Sequence, residues 1–145
     1  MGLLVLIPIF LVLLDLAICV VAVTVNDSCC RDAARAASAG VPQDFSATVK
    51  ENAKARAQAV VSHVFSSAGY INGPTLLSAS SDQTGPQNLV APPQQFGGAW
   101  GGTYRVTTEI VVNLPAAIPG ITPATVTFDA RQEFPITRVE QAQAF

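Results

Sequence analysis

Leu3–Val25, LLVLIPIFLVLLDLAICVVAVTV, decides how this 145-residue chain is read. The stretch is apolar except for one formal charge, Asp15, near its middle. As a helix, a run of this length crosses a hydrocarbon core of about 30 Å. A carboxylate at that depth costs roughly 2.5–3.5 kcal/mol on insertion scales, so it marks a face turned towards protein. The run predicts a membrane anchor, and Asp15 has a protein-facing role in it. A cleavable signal would have a basic start and an apolar region of only about 7–15 residues. Here no basic side chain precedes Arg31, so the run reads as a retained span.

Arg31 and Arg35 follow the span closely, and the positive-inside rule would put that side in the cytoplasm. Asp27 and Asp32 accompany them but count only weakly in that rule. Two resolutions follow: an N-out orientation, or basic residues upstream of Met1 in the natural protein.

Beyond the span about 120 residues remain, enough for one small domain. Mean hydropathy is +0.40, and the anchor supplies most of it. Eight Lys+Arg stand against ten Asp+Glu, for a net charge of −2. The basic residues do not cluster, which excludes the electrostatic footprint of a nucleic-acid binder. Enzyme chemistry has little support. The lone histidine, His63, has no nucleophile motif around it, and no GxSxG, HExxH or phosphate loop occurs. Asp82, Glu109, Asp129 and Glu133 are scattered and read as solvated sheet surface. No catalysis, cofactor or metal is expected.

From Leu3 to Gly40 no helix stop intervenes, and Pro8 near the start is tolerable. Such a helix is roughly 57 Å long, crossing the membrane and continuing as a stalk. Steps of about 3.6 residues from Asp15 reach Cys19, Ala22, Asn26, Cys29, Ala33 and Ala37. All are small or polar, as a close helix–helix seam requires, and Asp15 heads the stripe. The adjacent Cys29 and Cys30 point about 100° apart on a helix, which disfavours a disulfide between them. The three cysteines read as small packing residues, with an intersubunit disulfide as the less favoured alternative.

Pro42 ends the stalk, and Asp44 N-caps a second helix over FSATVKENAKARAQAVVSHVFSS. Its apolar face is Phe45, Val49, Ala53, Ala57, Val60, Val61 and Val64, with Lys50, Glu51, Lys54 and Gln58 on the solvent side. Gly69 is a natural stop after it. Residues 70–103 are rich in turn signals, with a short strand over Leu76–Ser80. Phe96, Trp100 and Tyr104 lie in or beside the Gly/Trp tract 94–103. They form a surface contact, or Trp100 folds back as a core lid. Tyr104, Val106, Thr108, Ile110 and Val112 alternate with polar neighbours as a strand, and Val126, Phe128 and Ala130 begin another. Pro135 marks an edge or strand end. The expected fold is α+β. Residues 1–41 form a transmembrane and stalk helix. Residues 42–145 form a head in which the second, amphipathic helix covers a small antiparallel sheet.

These features resemble the TadE-like pseudopilins of tight-adherence (Flp, or type IVc) pilus systems. Ile7 and Pro8 stand where that family often has Leu-Pro, and Asp15 where it has an in-helix glutamate. Cys29-Cys30-Arg31-Asp32-Ala33-Ala34-Arg35 is similar to the family segment AAREGAR. The strand–loop–strand after Tyr104 resembles the family's closing elements. The family's basic leader and early glutamate are not matched; the glutamate would fall near Gly2.

The resemblance implies a pilin-like fold and a non-enzymatic assembly protein, single-pass in the bacterial inner membrane with its head outside the cytoplasm. Asp15, Cys19, Ala22, Asn26, Cys29, Arg31, Ala33, Arg35 and Ala37 would carry helix–helix assembly. The partners would be copies of the chain or other pilin-like subunits, with membrane lipid before assembly. The alternative is a bitopic binding module presenting the 94–103 tract.

Overall fold

The computed structural model describes residues 2–39, 47–64, 69–84, 99–116 and 123–139. Two helices, α1 (Gly2–Ser38) and α2 (Ala47–Val64), precede three strands: β1 (Thr75–Thr84), β2 (Ala99–Asn113) and β3 (Thr125–Val139). The strands form one antiparallel sheet in the order β1-β2-β3. The layout is α+β, and α1 is long and apolar enough to cross a membrane.

The period-two pattern of β2 sets its two faces. Tyr104, Val106, Thr108, Ile110 and Val112 are buried, while Arg105, Thr107, Glu109 and Val111 alternate with them at partial exposure. On β3, Val126, Phe128 and Ala130 are half-buried, as expected of an edge strand covered on one face. Pro135 lies inside β3, opposite Thr103. Proline cannot donate to a ladder, and an edge strand is where a sheet tolerates it. β1 is longer than the short strand expected from sequence. A register shift between Leu76 and Ser78 coincides with an exposed Leu77.

The cover of the sheet differs from expectation. α1 lies across β2 and β3, and α2 packs beside it against α1 and β1. The division at residue 41 therefore follows the chain and not the packing, because α1 from Asp15 onwards is part of the head. The physical reason is the small-residue stripe. Ala22, Cys29, Cys30, Ala33, Ala34 and Ala37 are fully buried, and such side chains let a helix approach a sheet and a second helix at once. α2 contributes Ala53, Ala57 and Val61 to the same core. Glu51, Lys54, Gln58 and His63 face solvent. Phe45 lies outside the described residues, as do the side chains of Val49, Lys50 and Val64. Gly69 has φ of 56°, the left-handed conformation that glycine adopts without strain.

Candidate functional site

α1 divides into two parts with different surroundings. From Leu6 to Leu14 every side chain is exposed, Leu6 at 64% and Phe10 at 65%. Burial begins at Asp15, which is only 7% exposed, and continues on one face to Ala37. On the opposite face Leu16, Val20, Val21 and Val23 stay bare.

The buried face meets the sheet in a regular ladder. Asn26 Nδ2 donates to the carbonyl oxygens of Phe128 at 2.9 Å and Thr108 at 3.5 Å. The Thr108 hydroxyl donates back to Asn26 Oδ1 at 2.8 Å. Four residues along, the Cys30 thiol contacts the carbonyl oxygens of Val106 and Ala130, each at 3.4 Å. Four helical residues advance about 6 Å, and two strand residues advance nearly the same. The helix stripe and the inner face of β2 therefore stay in step. Carried the other way, the ladder passes Ala22 packed with Ile110 and Val112. It ends at Asp15, whose Oδ1 accepts the Ala116 backbone N–H at 3.3 Å.

The stripe expected to face a neighbouring helix thus lies against the chain's own sheet. Asp15, Ala22, Asn26, Cys29, Ala33 and Ala37 are buried within one copy, and Cys19 is partly buried. A side chain already covered by its own head has no surface left for a second subunit. Arg31 and Arg35 are on the solvent side. Arg31 pairs with Asp27 at 2.8 Å; Arg35 lies 3.7 Å from Asp32 and 5.6 Å from the centroid of the Phe134 ring. Such exposed pairs add little stability.

The cysteines are free thiols. Burial pushes Cys29 up to about 11, with the neighbouring Cys30 and Asp32 adding to the shift. Burial raises Cys30 as well. Neutral thiols of this kind pack as small apolar groups and are poor nucleophiles.

The second candidate surface is altered too. Tyr104 is 4% exposed and belongs to the core, because it falls on the inward phase of β2; it offers no surface contact. Residues 99–103 are strand and not loop: Gly101–Thr103 pair with both neighbouring strands, while Ala99 and Trp100 pair with β3 alone, Trp100 opposite Arg138. Phe96 lies outside the described residues. On the outer face, Arg105 holds Glu133 at 2.6 Å and lies 3.8 Å from Asp82, while Arg131 reaches Glu133 at 3.2 Å. Hydrogen bonds from Arg105 and then Arg131 keep the Glu133 carboxyl below its ordinary range. Glu109 and Asp129 are directly opposite in the ladder. Among the described residues no His, Cys, Asp and Glu side chains gather as a metal ion requires.

Three positions that the sequence did not single out complete the head. Arg56 donates from Nε and a terminal nitrogen to the carbonyl oxygens of Ala36 and Ala37, each at 3.0 Å, capping the C-terminal end of α1. Gln132 Nε2 donates to Asp27 Oδ1 at 2.8 Å. Thr108, read only as one of the alternating strand positions, is the partner of Asn26. Its signal was present, since a polar residue at a core phase of a strand requires a buried partner. Compared with known proteins, the chain matches no family model, no curated protein and no solved structure at a significant level.

Proposed function

We propose that this chain is a non-enzymatic, membrane-anchored structural subunit, a pseudopilin or minor pilin that joins a surface filament through its first helix. The observation carrying this reading is the bare apolar end of α1, Leu6–Leu14, which projects beyond a head built around the rest of the same helix. Such a surface must be covered by lipid or by other helices. One surface serves both in turn, lipid while the subunit waits in the inner membrane and neighbouring helices in the filament. The assembling face is then the bulky side of α1, including Leu6, Phe10 and Leu13, because the small-residue stripe is occupied by the head. The head stands outside the cytoplasm and provides lateral contacts. Association with copies of itself or other pilin-like subunits follows from the same exposed helix.

The test is a comparison of wild type with Phe10→Ser/Leu13→Ser in the producing cell. The expected result is that both fractionate with membranes and only the wild type co-purifies with sheared surface filaments. Equal recovery of both proteins in filaments, or of neither, overturns the reading.

A further inference from the structure

An open sheet edge limits how deep the head can sit. Asn26 and Cys30 meet the sheet at a step of four helical residues to two strand residues. Carried downwards in the same register, that step sets Thr127 level with Ala22 and Thr125 level with Ile18. Among the described residues β3 pairs with β2 alone, so the other edge of Thr125–Thr127 presents unpaired backbone groups. Hydrocarbon does not admit such an edge. Lipid tails around α1 therefore end below Ile18.

Above that level α1 is still apolar. Val20, Val21 and Val23 are 58%, 53% and 43% exposed, and the first charge beyond them is Asp27. The Thr24 and Ser28 hydroxyls donate to the Val20 and Thr24 carbonyl oxygens, each at 2.8 Å, so neither leaves a donor unmet on this side of the helix. Lipid tails do not reach these valines, and the head covers the other side of α1. Pairing apolar helices within lipid gains little from the hydrophobic effect, because the tails are equally apolar; in water the same contact gains it in full.

We propose that Val20, Val21 and Val23 are covered by the same surface of a second copy, so that the chain pairs α1 against α1 in the membrane before any filament forms. This pairing presupposes that α1 is the membrane anchor of the proposed function, and it names the first partner of that helix. Copies anchored in one bilayer in one orientation present this surface at one height, and a two-fold axis along the membrane normal brings the helices together in parallel. The charges above the valines suit such a pair. Each copy carries Asp27 with Arg31 at 2.8 Å, and Asp32 with Arg35 at 3.7 Å. In a parallel pair Arg31 of one copy stands about 6 Å, roughly one helical turn, above Asp27 of the other. Both signs are offered by both copies, and neither sign dominates the contact.

The experiment uses the full chain with Cys19→Ala, reconstituted alone in phosphatidylcholine vesicles. One cysteine is added by Thr24→Cys beside the valines, or by Gln58→Cys on the solvent side of α2, and copper-phenanthroline is the oxidant. Thr24→Cys is expected to give a disulfide-linked dimer whose yield is unchanged when the lipid is increased tenfold, while Gln58→Cys stays monomeric. Adding Val20→Ser/Val21→Ser, both at exposed positions, is expected to abolish the Thr24→Cys dimer. A monomeric Thr24→Cys protein that floats with the vesicles overturns the pairing and leaves the anchor standing; a protein that does not float overturns both. A yield that falls with added lipid shows random collision and overturns the pairing, as does a dimer that survives the two serines.

Discussion

Asn26 and Thr108 are joined by a buried hydrogen bond of 2.8 Å, the hydroxyl donating to the amide oxygen. The Asn26 amide nitrogen faces two strand carbonyl oxygens in return. One side chain of α1 thereby ties both β2 and β3, at the level where both elements become charged.

Removing that side chain strands its partners. Asn26→Ala leaves the Thr108 hydroxyl and the Phe128 carbonyl oxygen buried without it, for an expected loss of about 2–4 kcal/mol. Thr108→Val costs less, and the double substitution costs less than the sum because it removes both ends of one bond. Urea unfolding in detergent micelles measures all three. Strict additivity would show that the two residues do not act together.

The close contact of α1 makes volume the next sensitive quantity. Ala33 is fully buried in the same core as Ala53, Ala57 and Val61. Ala33→Leu is expected to cost at least about 1–3 kcal/mol, as overpacking does. Arg31→Ala, two residues away on the solvent side, should change stability by less than about 1 kcal/mol. Thermal melts of the two variants separate a head-packing stripe from a free surface, because a free surface would tolerate both.

Much of this arrangement was legible beforehand. The alternation Tyr104, Val106, Thr108, Ile110, Val112 located β2 and its buried face, and the apolar run located α1. What the stripe on α1 packs against was not legible. Small residues every three or four positions look the same whether a helix meets another helix or a sheet. The distinguishing feature lies in the partner, where Thr108 waits at a core phase of β2. The sequence announces only the start of β1, because SASSDQ over 78–83 lacks the β-branched and aromatic residues that mark a strand. It forms because it pairs with β2, a tertiary cause that local composition does not record. Arg56 carries no local sequence signal of its role, because that role is to meet carbonyl groups at the end of a different helix.

That end of α1 supports a further test. Arg56 bonds the Ala36 and Ala37 carbonyl oxygens, and its cationic head also complements the helix dipole there. Arg56→Ala is expected to destabilise by about 1–2 kcal/mol. Arg56→Lys should recover only part, since an ammonium cannot present two fixed N–H groups side by side. Hydrogen exchange at the amides of the last turn of α1 provides the local readout. Unchanged protection in Arg56→Ala would remove the capping role.

Cys29 gives the head a dependence on alkaline pH. Its folded pKa of about 11 exceeds the ordinary thiol value of 9.0 because burial opposes the thiolate. The folded state therefore holds the proton more tightly than the unfolded chain. The associated stability is fully present below the ordinary thiol range and is lost as pH rises towards about 11. Cys29→Ala, which keeps a small apolar group, should flatten the decline between pH 9 and 11 without altering the melting profile near neutrality. Identical alkaline slopes in the two proteins would exclude Cys29 as their cause.

Asp15 sets the strictest condition, because among the described residues its partner is a backbone amide and not another charge. The Ala116 N–H needs an acceptor at 3.3 Å, and a neutral amide oxygen supplies one as well as a carboxylate does. Asp15→Asn is therefore expected to keep Ala116 protected from hydrogen exchange in micelles, while Asp15→Leu loses that protection. The orphaned donor costs about 1–3 kcal/mol. A role in charge pairing with a neighbouring subunit would give a different pattern, since asparagine would fail along with leucine in filament recovery. Exchange at Ala116 and filament yield, measured on the same two variants, separate the internal role of Asp15 from an external one.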